Sequence, residues 1–256
     1  MRKSIITTIL FSIIFMQFSF AQKVSKLYYD NGQLKLIGNL ENGKSTGEWK
    51  FYFENGQLKL IGNYENGGKI GKWKFYHENG QLMGIGNYEN GEKTGKWKIY
   101  HENGQLMGIG NYENGVRTGE SKFYHDNGQL EKIGNYENGK LTGEWKKYYE
   151  NGQLKKIGNY ENGERAGKWK FYHDNGGLQQ VGNYEYGWKN GDWTTYHENA
   201  KVYRIIYFGG GKLLYIITCR DNKGNNLDKG TLISGNGTVK EYDENGVLTK
   251  TLSYKN

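Results

Sequence analysis

Proline is absent from the 256 residues, and cysteine occurs once. A collagen-like triple helix is excluded, since it needs proline and a glycine at every third residue. One cysteine excludes an internal disulfide framework and a cysteine-rich zinc site. Disorder is excluded by the opposite feature: aromatic residues make up 15% of the chain, too many for a segment that cannot bury a core. Missing proline also leaves no residue that would delete a hydrogen bond from a β-ladder. What is abundant is glycine, 40 residues, and tyrosine, 22 residues.

The N-terminus reads as an address. Arg2 and Lys3 precede an apolar stretch from Ile5 to Phe20, and Ser19 and Ala21 stand at the small-residue positions of a cut before Gln22. Charge, apolar length and cleavage chemistry are those of a secretory signal. The stretch falls short of the roughly 20 residues a spanning helix needs. A signal peptide over residues 1–21 and a secreted, periplasmic or cell-envelope location are expected. Losing Arg2 and Lys3 takes the formal charge from +8 to +6. Cys219 lies in the apolar run Leu214–Cys219, which predicts a buried, inert thiol.

One motif dominates the rest. Glycine recurs at 32, 56, 80, 104, 128, 152 and 176, a step of 24, with leucine two residues later each time. Trp49, Trp73, Trp97, Trp145, Trp169 and Trp193 keep the same step, with Ser121 in the gap. A fixed period of this size means a repeat architecture in which each unit packs on its neighbours. Each unit holds two Asn-Gly pairs, such as Asn79-Gly80 and Asn90-Gly91. Asn-Gly is the strongest short signal for a two-residue type I′ hairpin. The runs between are β-prone. The expected fold is therefore all-β: an elongated, open antiparallel meander of stacked 24-residue hairpin repeats in a single-layer sheet. At roughly 4.8 Å per strand, a repeat advances about 10 Å and seven repeats span about 70 Å.

Reading Asn79-Gly80 as a two-residue loop sets a register. His77 then faces Leu82, Phe75 faces Gly84, Trp73 faces Gly86 and Gly71 faces Tyr88. Large rings meet glycines, whose bare backbone they would cover. The opposite face carries Lys74, Tyr76, Glu78 and Ile85. One unit resists the scheme, because Lys147 and Lys156 would meet on the aromatic face, which calls for a bulge or a less buried stretch.

These residues resemble the bacterial variant of MORN repeats. The family pattern is matched by Gly71, Trp73, Tyr76, Asn79, Gly80 and Leu82, followed by Gly86, Tyr88, Asn90 and Gly91, and recurs across roughly residues 28–202. It returns at Tyr242, Asn245, Gly246, Leu248 and Tyr254. The resemblance implies extended single-layer sheets that act as interaction modules, and many bacterial members are described as antitoxin components. Seven repeats over residues 22–202 are expected, with residues 203–256 as degenerate repeats capping the open C-terminal edge, a protection that exposed sheet edges need.

His77, His101, His125, His173 and His197 share one repeat position. Repeat-related residues are about 10 Å apart, whereas one metal ion holds its ligands at about 2 Å, so packing rings are expected there and no metal site. Lys74, Tyr76, Lys98, Tyr100, Lys122, Tyr124, Lys146, Tyr148, Lys170 and Tyr172 form the candidate interaction surface. Exposed Tyr and Trp rows with interleaved charge suit contact with a protein or glycan. An acidic ladder (Glu54, Glu78, Glu102, Asp126, Glu150 and Asp174) is expected to offset the lysines, which argues against nucleic acid, whose phosphates need an uncompensated basic surface. Carboxylates are copied down the chain, whereas catalysis needs a unique, desolvated constellation. Gly209–Lys212 lacks the hydroxyl residue of a phosphate loop, and Asp221–Asn226 fails the calcium-loop pattern. The expectation is a monomeric, non-catalytic scaffold without cofactor that binds a protein or cell-surface polymer. An antitoxin-like partner and a peripheral binder with weak anionic-membrane contact are the alternatives.

Overall fold

The computed structural model describes residues 23–256. The expected signal peptide and its cleavage site at Ala21 lie outside the described residues. Seventeen strands, from Lys23–Tyr28 to Lys212–Cys219, form one sheet, and no helix occurs among the described residues. Each strand pairs antiparallel with the next in the chain, as Gly68–Tyr76 does with Leu58–Glu65 and with Leu82–Glu89. The sheet is therefore the open meander that the period implies.

The two Asn-Gly turns are not the same turn. At Asn90-Gly91 both residues have positive φ, 50° and 86°, and Glu89 pairs with Glu92 across a two-residue type I′ loop. At Asn79-Gly80 only Gly80 is left-handed, with φ at 84°. Gly80 N–H donates to His77 O and His77 N–H to Gln81 O, so Glu78, Asn79 and Gly80 form a three-residue loop, a type I turn followed by a left-handed glycine. The expected pairing of His77 with Leu82 is thereby corrected: Tyr76 pairs with Leu82, after a one-residue slip at Phe75. Asn79 explains the choice. Its Oδ1 accepts from Gln81 N–H at 2.9 Å, while its Nδ2 donates to Glu102 O of the next repeat at 3.0 Å. A left-handed Asn79 is given up for a side chain that ties its own turn and the neighbouring one.

Beyond the slip the expected register holds, with Phe75 opposite Gly84, Trp73 opposite Gly86 and Gly71 opposite Tyr88. The rings nevertheless cover different glycines. Ile61 pairs with Lys74 and Asn63 with Ile70, so Gly71, Lys72 and Trp73 oppose the single residue Gly62. That bulge lays the Trp73 ring back over Gly62, where an added Cβ would sit 2.2 Å from the ring. Trp73 Nε1 donates to Asn63 O at 3.2 Å. Trp97 repeats the arrangement over Gly86 and Asn87, and Trp169 over Gly158 and Asn159. Each of these tryptophans, and Trp193 likewise, locks the type I′ hairpin that leads into it. Tyrosines fill the spaces edge-on: Tyr88 stands 5.9 Å from Trp73 and 5.2 Å from Trp97. The result is an aromatic row along one face, interrupted at Ser121 between Tyr112 and Trp145, and the expected exposed Trp row is instead a core, with Trp73, Trp169 and Trp193 completely buried.

Past residue 202 the sheet continues through Val202–Gly209 and Lys212–Cys219, and a separate hairpin, Gly237–Tyr242 with Leu248–Tyr254, follows. Its Val239 packs with Ile216 and Leu232. Arg204, almost wholly buried, donates to Lys240 O at 2.7 Å. Cys219 is a buried free thiol, as its apolar run predicts.

Candidate functional site

Four of the five histidines act as pegs between repeats. His77, His101 and His125 place Nε2 at 3.0, 3.3 and 3.3 Å from the backbone oxygens of Tyr100, Tyr124 and Tyr148. Tyr29 and Tyr149 fill the same position and donate their hydroxyls to Tyr52 O and Tyr172 O. His197 bonds Arg220 O, while the buried Nε2 of His173 has no partner.

On the Lys–Tyr face, Lys74, Lys98, Lys122 and Lys146 each pair in register with an isoleucine on both sides, such as Ile61 and Ile85 for Lys74. Lys170 stands between Ile157 and Val181. The row alternates cation and aliphatic across the sheet, and lysine stems can lie over the aliphatic neighbours while the ammonium stays in water. Tyr76, Tyr100, Tyr124, Tyr148 and Tyr172 are half-buried beside Leu82, Leu106, Leu130, Leu154 and Leu178. The acids that pair with this row are not the turn acids. Lys122 meets Glu120 at 2.9 Å and Lys146 meets Glu144 at 2.6 Å. Each pair raises its lysine pKa, through the hydrogen bond first. In the repeats of Lys74, Lys98 and Lys170 the glutamate is replaced by Lys72, Lys96 and Lys168.

The aromatic face carries a second set of cations that sequence periodicity did not single out. Lys69 lies over Trp73 and Tyr88, Lys93 over Trp97 and Tyr112, and Arg117 over Tyr112, Phe123 and Tyr136. Arg165 and Lys189 continue the row over Trp169 and Trp193. Where Leu141 interrupts it, Lys132 covers Phe123 and Lys156 covers Trp145. Cations over ring faces are attracted by the ring quadrupole. Among the described residues, none of these seven cations is in an ion pair. Burial, reinforced by Lys93, lowers the Lys69 pKa, and burial with Arg165 lowers that of Lys189. Lys156 is lowered by burial and by Arg165, Lys147 and Lys155. The awkward meeting of Lys147 and Lys156 does occur, pair against pair. It is tolerated because the stretch is less buried and Lys147 reaches Glu131 at 2.8 Å.

One apolar groove, of about 610 Å³, opens on this face between Phe75, Trp97 and Ile99. Its cause is a local departure from the repeat. Leu36, Leu60, Gly84, Gly108, Lys132, Lys156 and Gln180 share one position, and glycine at 84 and 108 removes the side chain that elsewhere covers the sheet. At the preceding position Met83 and Met107 stand where Lys35, Lys59 and Lys155 stand in other repeats, and both methionines are exposed. Phe75, Met83, Trp97, Ile99 and Met107 line the groove, Lys93 lies at its edge, and Glu102 and His101 are at the other rim. The signal was legible as Met-Gly-Ile-Gly in two consecutive repeats, but a reading built on what recurs passes over what departs.

Residues 22–42, 45–66, 69–90, 93–114, 117–138, 141–162, 165–186 and 236–256 each match the MORN repeat variant. The chain belongs to the MORN repeat variant family. As a MORN-variant protein it has the repeat scaffold of that family, seven consecutive repeats and one more at the C-terminal end. No curated protein matches it. Among solved structures, the Photorhabdus luminescens Tc holotoxin pore aligns over 91% of this chain and 16% of its own, at 15% identity and a TM-score of 0.20. A porin-like protein from Bacteroides uniformis aligns over 91% and 95%, at 9% identity and a TM-score of 0.21. The MORN-variant chain thus spans about one sixth of the toxin chain, 16% of its length.

Proposed function

We propose that this protein is an exported, non-catalytic scaffold that binds a protein or cell-surface polymer along its extended sheet. The observation that carries the reading is the aromatic face, on which a row of cations lies over rings without acidic partners. Cations held this way keep charge available for a ligand, and rings beneath them supply contact area. The Lys–Tyr face, from Lys74 and Tyr76 to Lys170 and Tyr172, is the second candidate surface, with Lys122 and Lys146 already engaged by glutamates. Export rests on Arg2, Lys3 and the apolar stretch that ends before Ala21. The mature chain should begin at Gln22, and mass spectrometry of exported protein that still starts at Met1 would refute cleavage there.

Affinity in such a scaffold comes from several weak contacts and should fall as repeats are removed. The test is partner capture by the full mature chain and by chains lacking successive 24-residue repeats. Stepwise loss supports the scaffold. A point change that removes all binding from a folded chain, while a one-repeat deletion leaves binding untouched, would overturn it.

A further inference from the structure

We propose that the groove between Phe75 and Ile99 seats an apolar side chain of an acidic polypeptide segment, whose carboxylates lie on Lys69, Lys93 and Arg117. The proposal rests on the scaffold reading and names the chemistry of its partner.

Three features argue for that occupant. The groove exists because Gly84 and Gly108 stand where a leucine, lysine or glutamine stands in the other repeats. Its volume, about 610 Å³, lies within the range of ligand pockets and suits one or two large apolar side chains. Met83 and Met107 supply adaptable, polarisable walls, a residue type suited to binding surfaces that must mould to a partner. Along the same face Lys69, Lys93 and Arg117 recur once per repeat. A repeat advances about 10 Å, which a polypeptide in the polyproline II conformation, at about 3.1 Å per residue, covers in roughly three residues with every third side chain on the same side. Carboxylates near every third residue would therefore meet successive cations, with apolar side chains between them. Glu102, at the other rim, repels an acidic segment placed there and fixes which edge the carboxylates take.

The probe is a fluorescein-labelled dodecapeptide repeating Glu-Glu-Phe, titrated against the mature chain by fluorescence anisotropy. Gly84→Leu fills the groove with the residue of Leu36 and Leu60, and a Cβ at 84 meets nothing closer than 3.5 Å, so folding should survive. It should weaken binding roughly tenfold to a hundredfold, the worth of burying one large apolar side chain. Met83→Gln with Met107→Gln, the residue that Gln179 places at this position, removes the apolar walls without adding charge and should act in the same direction. Lys69→Glu with Lys93→Glu should abolish binding and its salt dependence. A peptide with Lys in place of Glu should not bind.

Equal affinity of the wild type and Gly84→Leu for the acidic peptide overturns the proposal, as does no binding at about 1 mM peptide, the millimolar limit of weak recognition. Phosphatidylglycerol vesicles that retain the wild type but release Gly84→Leu would assign the groove to lipid and also overturn it. A captured partner that is indifferent to Gly84→Leu removes this assignment but leaves the scaffold standing. The scaffold itself falls only by the repeat-deletion result described above.

Discussion

Residues 69–114 and residues 117–162 are consecutive stretches of the same sheet with nearly identical backbones and opposite surfaces. In the first, Trp73 and Trp97 are buried over Gly62 and Gly86, and glycines at 84 and 108 open an apolar groove. In the second, Ser121 replaces one tryptophan, Trp145 is half-exposed, and Lys132, Lys147 and Lys156 crowd the same face. The turns are unaffected: Asn103 and Asn127 make the same bonds to their own loops and to the next repeat. Backbone frame and surface chemistry are thus carried by different positions. Turn residues, the left-handed glycines and the Trp–Gly contacts hold the frame, and the positions beside them are free to define a surface.

The largest expected difference between the two stretches is at tryptophan. Trp73→Ala should cost about 3–5 kcal/mol, the range for deleting a buried large aromatic, whereas Trp145→Ala should cost clearly less. Chemical unfolding of the two variants checks this, and equal losses would break the comparison. Next is Gly84→Leu, which fills the groove of the first stretch. It should raise stability by about 0.5–2 kcal/mol, as cavity filling does, and a higher midpoint in urea is the readout. Asn79→Ala and Asn127→Ala should each cost about 1–2 kcal/mol through the lost side-chain bonds, to the same extent in both stretches. Unequal losses would show that the frame is not shared.

The second stretch should also answer to salt and pH. Lys156 has its pKa lowered by burial and by Arg165, Lys147 and Lys155. Because the folded value lies below the unfolded one, the unfolded chain binds more protons between them, and stability rises with pH across that window. The penalty is fully present below the folded pKa and disappears above the unfolded value, about 10.4. Melting measured from neutral pH upward should show the rise, and Lys156→Gln should flatten it. Salt should stabilise in the same way by screening the cations. The smallest effect belongs to Glu131. Burial opposes its ionisation, but the bond to Lys147, with Lys132 and His125 nearby, holds its pKa below the usual value. Its stabilisation is present above the unfolded carboxylate pKa and lost as pH falls through the folded one. Glu131→Gln should cost no more than about 1 kcal/mol near neutral pH.

Much of the frame was legible because it recurs. The glycine period, the Asn90-Gly91 turn and the pairing of Trp73 with Gly86 follow from spacing alone. The Asn79 turn was misread because an Asn-Gly pair does not reveal whether asparagine enters the left-handed region or uses its side chain to cap the loop. The tryptophan contact was placed on the wrong glycine because a bulge at Gly71 and Lys72 leaves no mark in a regular alternation. The surface was the least legible part. Lys69, Lys93 and Arg117 differ from the Lys74 row only by the face that the bulge turns them to, and the groove arises from what Gly84 and Gly108 lack.

The separation of frame from surface is tested most directly by the Glu-Glu-Phe dodecapeptide titrated against two deletions of one 24-residue period each. Removing residues 93–116 takes away Trp97, Ile99, Met107 and Gly108, whereas removing residues 141–164 takes away Trp145, Lys147 and Lys156. Both chains should fold with unchanged per-residue far-UV circular dichroism. Peptide affinity should be lost in the first and retained in the second. Equal loss in both, or collapse of either chain on deletion, would contradict the account.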